Sequence, residues 1–222
     1  MIQYVVSVFL VLCASRTEAF CNSSPCITVD VYYESLCPDS VRFIVNQLAT
    51  SYDGLKDHLD INLVPYGKAI HRRDENGKWL FSCQHGAAEC RGNKAQACAL
   101  NSILNSSDNF DNKQSLAISL VECVMSSSNA ATAVPRCTVN VGLNPDMRKT
   151  INDCVESTDG DRLLVAHGDK THSLNPPLTF VPTIVLDNVY SSANQNAALV
   201  NFKKLICGQI PAGAKPAVCR YY

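Results

Sequence analysis

The sequence carries no excess of either charge: 19 Lys and Arg stand against 20 Asp and Glu, a formal net charge of −1. A chain so balanced has no long-range field for a phosphate backbone or an anionic membrane surface, which argues against a nucleic-acid binder and a basic membrane-surface protein. No internal repeat and no low-complexity linker interrupts it, so nothing marks a cut into independent domains. Beyond the N-terminal segment no apolar run approaches the ~20 residues that cross a bilayer, and no transmembrane anchor is expected. Charged residues amount to only 18 %, yet 46 % of the 222 residues are hydrophobic. That composition buries enough apolar surface to offset chain entropy, so disorder is excluded and a packed core is expected.

What is plentiful is cysteine, with 12 residues. Tyr4 to Ala14 is an apolar run followed by small and polar residues. It has the length of a secretory h-region rather than of a membrane span, so residues 1–19 are expected to be a signal peptide, cut near Ala19. Without Cys13, eleven cysteines remain: Cys21, Cys26, Cys37, Cys83, Cys90, Cys98, Cys123, Cys137, Cys154, Cys207 and Cys219. On an export route most should pair, and an odd number leaves at least one over. Asn22-Ser23-Ser24 and Asn105-Ser106-Ser107 are sequons, which predicts glycosylation at Asn22 and Asn105 and exposure of both.

Ile27 to Tyr33 (ITVDVYY) reads as a strand, 34–38 as a turn, and 39–48 as a helix with Val41, Ile44, Val45 and Leu48 on one side. A second strand at 57–66 completes the opening of a parallel α/β unit. The polar, basic stretch 67–77 fits a loop or hairpin with 78–82 as its second arm. Helices are predicted over 90–104, 113–125 and 145–156, forming a cysteine-stapled helical insert at roughly 67–160. The scaffold resumes with a helix at 161–169, a proline-broken loop at 173–177, a strand at 180–186, a turn at Asp187-Asn188 leading back through Val189 and Tyr190, and a final helix at 197–208.

Among the residues able to carry chemistry, Cys37 stands where a strand hands over to a helix. Unpaired backbone N–H groups and the helix dipole favour a nucleophilic thiolate there; the competing reading makes Cys37 half of a structural disulfide. Pro182 falls in an apolar strand, where it is either an edge-strand proline or the second residue of a cis peptide shaping a groove. Cys83, His85, Cys90 and Cys98 depart from the usual Cys-x2–4-Cys zinc spacing, so disulfides are expected and no metal. His85 is read as a loop anchor that hydrogen-bonds backbone. Asp39, Glu34 and His71 are read as solvated polar residues, with nothing to set them against Cys37.

The run from Cys83 to Cys98 (CQHGAAECRGNKAQAC) matches at every signature position, Cys83, Gln84, His85, Gly86, Glu89, Cys90, Asn93 and Cys98, the pattern C-Q-H-G-x2-E-C-x2-N-x4-C. In this it resembles the gamma-interferon-inducible lysosomal thiol reductase family. The resemblance implies a thioredoxin-like α/β fold with an inserted helical region over residues 20–222, and a secreted or lysosomal destination. It also implies reduction of protein disulfides by a C-x-x-C pair without a bound cofactor. The attacking cysteine of that pair corresponds to Cys37 and the proline facing it to Pro182. The resolving cysteine corresponds to Ser40, and a hydroxyl cannot attack a mixed disulfide as a thiolate does. Classical two-thiol reduction should therefore be impaired. Monothiol exchange completed by a small-thiol reductant, a non-catalytic role in binding a protein partner, and covalent capture of a partner all remain open. With Cys37 free, the other ten cysteines can form five disulfides, whose connectivity the spacing does not reveal. In an acidic compartment protonation of all five histidines would take the formal charge from −1 toward about +4.

Overall fold

The protein is described by a computed structural model covering residues 21–222; the expected signal peptide and Cys13 lie outside the described residues. β1 (Ile27–Tyr33) is buried along nearly its whole length, which suits its β-branched and aromatic composition. The chain then enters α1 (Pro38–Phe43), a π-helical stretch Ile44–Ala49, and α2 (Thr50–Leu55). This helical passage outlasts the predicted 39–48 because Tyr52 and Leu55 continue the buried face of Ile44 and Leu48 at helical spacing. β2 (Leu59–Pro65) lies parallel to β1, with Ile27 opposite Leu59 and Tyr33 opposite Pro65.

β3 (Ile70–Arg73) and β4 (Trp79–Ser82) form the expected hairpin. Five helices follow: α3 (Ala87–Leu104), α4 (Phe110–Met125), α5 (Val134–Asn140), α6 (Pro145–Glu156) and α7 (Thr158–His172). The starts of α4, α6 and α7 are set by Asn109, Asn144 and Ser157, whose side chains accept backbone N–H groups of the first turn. These caps explain why α4 and α7 begin earlier than apolar spacing suggested. α5 escaped the sequence reading because a helix this short shows too few turns for a period to register.

The strand expected at 180–186 is shorter. β5 (Thr183–Leu186) begins after Pro182, which has no N–H to give a ladder. It runs antiparallel to β1, with Val29 opposite Leu186, so the sheet order is β2-β1-β5. Asp187 and Asn188 both have positive φ, 49° and 61°, and return the chain so that Val189 bridges Leu186, the turn that the sequence predicted. α8 (Ser192–Gln209) closes the fold, capped by Ser191 and kinked at Asn201.

The result is a mixed α/β fold with disulfide-bonded helical segments. One main core runs from Val29 and Val31 on the sheet through Phe43 and Leu48 to Leu100, Leu120 and Phe202, so scaffold and helical segments share it. Gln114 on α4 covers the outer edge of β2. Its Oε1 accepts the Ile61 N–H at 2.5 Å and its Nε2 donates to the Leu59 carbonyl at 2.9 Å. A side chain thus satisfies an edge that would otherwise invite another strand.

Five disulfides join Cys21 to Cys26, Cys83 to Cys90, Cys98 to Cys154, Cys123 to Cys137, and Cys207 to Cys219. They consume every described cysteine except Cys37.

Candidate functional site

Cys37 takes the N-cap position of α1, directly before Pro38, whose fixed φ and missing N–H suit the first helical turn. It is free but only 6 % exposed. Its thiol donates to the Val181 carbonyl, with Sγ 3.7 Å from the oxygen. The Val181–Pro182 peptide is cis. Two segments 144 residues apart in sequence therefore meet at the thiol. Ser40, one helical turn on, is fully buried, and its Oγ accepts the Glu34 N–H at 3.3 Å. Asp39 points outward and pairs with Arg42 at 2.9 Å, as a solvated residue should.

The segment facing Cys37 is held by Gln195, which no sequence pattern singled out. Its Nε2 donates to the Pro182 carbonyl at 2.8 Å and its Oε1 accepts the Ile184 N–H at 2.7 Å. Gln195→Leu leaves both backbone groups buried and unsatisfied, and is expected to cost about 2–4 kcal/mol. Denaturant unfolding measures that cost, and faster alkylation of Cys37 in the folded variant would report the loosened Val181–Pro182 segment.

Beneath the Cys37 turn, the signature residues and the end of β1 interlock. Glu89, Asn93 and Gln96 lie on one face of α3 at helical spacing and all point at the strand end. The Ser35 Oγ donates to the Glu89 carbonyl at 3.1 Å, Asn93 Oδ1 accepts the Ser35 N–H at 2.8 Å, and the Tyr33 hydroxyl donates to Gln96 Oε1 at 2.7 Å. Cys83 and Cys90 close the loop that leads into α3. Gly86 has φ +81°, a left-handed conformation that favours glycine, while Gln84 beside it is exposed.

Two expectations need correction here. Glu34 is not solvated: it is fully buried, because Gly67 lets the loop after β2 close over it, and a Cβ at Gly67 would collide with the Glu34 side chain. Its carboxyl sits above the usual range, chiefly through burial and further through the Glu89 carboxylate, while the Lys68 amide and His85 pull it down. The His85 side chain does not anchor backbone; its Nδ1 donates to Glu89 Oε2 at 2.5 Å. The strand-end position of Glu34 carried no recognisable pattern.

His71 is also largely buried rather than solvated, with its side chain 11 % exposed. It bonds the Tyr66 hydroxyl at 2.6 Å and stacks on His172. Burial holds its pKa below the usual value, and the partly buried His167 is lowered to about 4 by burial and then by Lys170. The swing toward about +4 is therefore incomplete at mildly acidic pH, because two of the rings resist charging.

A histidine whose folded pKa is depressed binds fewer protons folded than unfolded. Stability is then lost as pH falls from about 6.5 toward about 4. The His167 share is at most about 3 kcal/mol. Thermal unfolding midpoints across that window should fall in the wild type and fall less in His167→Gln. Asn22 and Asn105 are both exposed. Asn22 Nδ2 donates to Asp111 at 2.7 Å and Asn105 Nδ2 to the Asn101 carbonyl at 2.9 Å. No helix among the described residues is long and apolar enough to cross a membrane.

Comparison with known proteins gives this arrangement its relatives. The chain is 35 % identical over 97 % of its length to a gamma-interferon-inducible lysosomal thiol reductase-like protein of Anopheles gambiae, covering 86 % of that protein. It is 34 % identical over 89 % of its length to a gamma-interferon-inducible lysosomal thiol reductase of Carassius auratus, covering 73 % of it. With GILT-like protein 1 of Drosophila melanogaster the identity is 33 %, over 88 % of this chain and 79 % of that one. Residues 28–141, from the second residue of β1 through the disulfide-closed signature loop to just past α5, match the model of the family described as gamma interferon inducible lysosomal thiol reductase, and the chain belongs to that family.

Proposed function

We propose that the protein is a thioredoxin-like thiol-disulfide exchange protein that works with one thiol, Cys37, and lacks the classical resolving step because Ser40 stands in the resolving position. The observation that carries this reading is the free Cys37 at the start of α1, its Sγ against the Val181 carbonyl beside cis-Pro182, in a chain whose other described cysteines are all paired. Family membership and the general thiol-reductase-like role of its relatives support it.

In the reaction the Cys37 thiolate attacks one sulfur of a protein disulfide, and the other sulfur leaves as a thiolate and takes up a proton. A small thiol such as cysteine then attacks the Cys37 sulfur, releases the second substrate thiol and leaves the small thiol on Cys37. A second small thiol removes it as a symmetrical disulfide. Two small thiols are oxidised for each substrate disulfide reduced. Pro182 borders the attacked sulfur. Secretion or lysosomal delivery through a signal peptide at 1–19, glycosylation at Asn22 and Asn105, and a single domain over 20–222 with its helical insert at roughly 67–160 belong to the same reading.

A second reading, a non-catalytic family member that binds a protein partner, is favoured by the 6 % exposure of Cys37. Incubation with an excess of a disulfide-containing peptide, followed by intact mass and peptide mapping, separates the two. An adduct at Cys37 that persists until a small thiol is added is the expected result. No adduct over hours at neutral or mildly acidic pH would overturn monothiol exchange and leave the binding role.

A further inference from the structure

Glu34, His85 and Glu89 converge on one point. One donor atom from each, two carboxylate oxygens and the His85 Nδ1, lie within 4.8 Å of one another. His85 Nδ1 is 2.5 Å from Glu89 Oε2 and 3.5 Å from Glu34 Oε2. The remaining carboxylate oxygens are already fixed from behind by backbone: Glu34 Oε1 accepts the Lys68 N–H at 2.7 Å, and Glu89 Oε1 accepts the His85 N–H at 3.1 Å. Each carboxylate is thus oriented to offer a single inward oxygen, as outer-shell hydrogen bonds orient metal ligands.

The protein alone does not satisfy this cluster. Nδ1 has one hydrogen, and it goes to Glu89. Glu34 Oε2 is left with no hydrogen-bond partner although the side chain is completely buried. A buried carboxylate oxygen facing a second carboxylate is costly unless a proton or a cation stands between them.

We propose that Glu34, His85 and Glu89 form a divalent-cation site suited to zinc. One imidazole nitrogen and two carboxylate oxygens are borderline-hard donors that this ion accepts, and a three-ligand set leaves a fourth position open. The His85 side chain is 32 % exposed, so the open position and the route of entry lie on its side. Ligand bonds of about 2.0–2.2 Å put tetrahedral donors about 3.3–3.5 Å apart. The Glu34–His85 separation of 3.5 Å already matches. The Glu89–His85 pair would open by nearly an ångström as the cation displaces the Nδ1 proton. Cys83, Cys90 and Cys98, whose spacing argued against metal, take no part because they are in disulfides.

The site is built into the Cys37 turn without using the thiol. The Glu34 carbonyl accepts the Cys37 N–H at 3.4 Å, and its N–H is held by Ser40. The test therefore removes the thiol as a competing ligand: the Cys37→Ser chain, disulfides intact and stripped with chelator, is titrated with zinc alone by calorimetry and weighed by native mass spectrometry. One ion per chain is expected, with affinity falling by at least about tenfold in His85→Asn and in Glu34→Gln. His85 is partly exposed, so His85→Asn is the variant that keeps its fold if Glu34→Gln does not. No saturable one-to-one binding, or one-to-one binding of unchanged affinity in His85→Asn, would overturn the site.

Discussion

Ser40→Cys is expected to raise the rate at which this protein reduces insulin disulfides by at least about tenfold, since the second thiol resolves the mixed disulfide within the chain. The gain should vanish in the Cys37→Ser, Ser40→Cys double variant, which keeps a thiol at position 40 but has lost the attacking one. Ser40 lies one helical turn after Cys37, and the swap also weakens the hydrogen bond that its Oγ accepts from the Glu34 N–H. A sulfur is a poor acceptor, so a cost of about 1 kcal/mol in stability accompanies the gain in rate. The oxidised Ser40→Cys variant should lose two hydrogens' mass and show, by peptide mapping, a disulfide between Cys37 and the thiol introduced at position 40. An unchanged rate with that disulfide formed would mean that something other than the missing resolver limits the protein, and monothiol exchange would lose its physical basis.

Removing the disulfide between Cys98 and Cys154 has the largest expected effect on stability. It links α3 to α6 across a sequence separation of 56. Freeing a loop of that length returns about 4 kcal/mol of chain entropy to the unfolded state. For a chain of this size that corresponds to a fall of about 8–16 °C in thermal midpoint. The double variant Cys98→Ala, Cys154→Ala also leaves space beside a fully buried position, which adds to the loss. The Cys83–Cys90 bridge, with a separation of 7, should cost only about 2.5 kcal/mol on the same grounds. Calorimetric scans of the two double variants compare them directly; equal midpoints would show that loop length does not govern these bridges.

The signature between Cys83 and Cys98 has a physical reading that its text alone conceals. Glu89 and Asn93 of the signature stand one turn apart on α3, and together with Gln96, at a free position of the pattern, they bring that helix against Ser35 and Tyr33 at the end of β1 through the Glu89 carbonyl and the Asn93 and Gln96 side chains. Cys90 closes the entry loop on Cys83, while Cys98, two turns further along, reaches α6. The motif is therefore a clamp that seats the helical segments on the strand leading to Cys37.

Much of the architecture was legible because it is local. The two parallel strands, the basic hairpin, the helices around 90–104, 113–125 and 145–156 and the turn at Asp187-Asn188 all announce themselves by hydrophobic period or turn chemistry within a few residues. Boundaries slipped where a cap or a buried continuation decided them, as at Asn109 and at Tyr52. Cys37 and Pro182 were singled out by position, one at a strand-to-helix junction and one as a proline in an apolar run.

By itself the sequence determined most of the segments that form helix or strand, and that of the eleven cysteines after residue 20 at least one has no partner within the chain. It determined the family through a run of residues that needs no structure to read. Only the tertiary structure decided that β5 runs antiparallel, which cysteines pair, that Gln114 and Gln195 bracket the sheet edge and the cis-Pro segment, and that Glu34 is buried against His85 and Glu89. The physical reason is range. Period, capping and turn preference act between neighbours in the chain, whereas most of these contacts join groups far apart in it, such as Cys98 and Cys154 at a separation of 56, and burial there follows from what packs on top rather than from the residue itself.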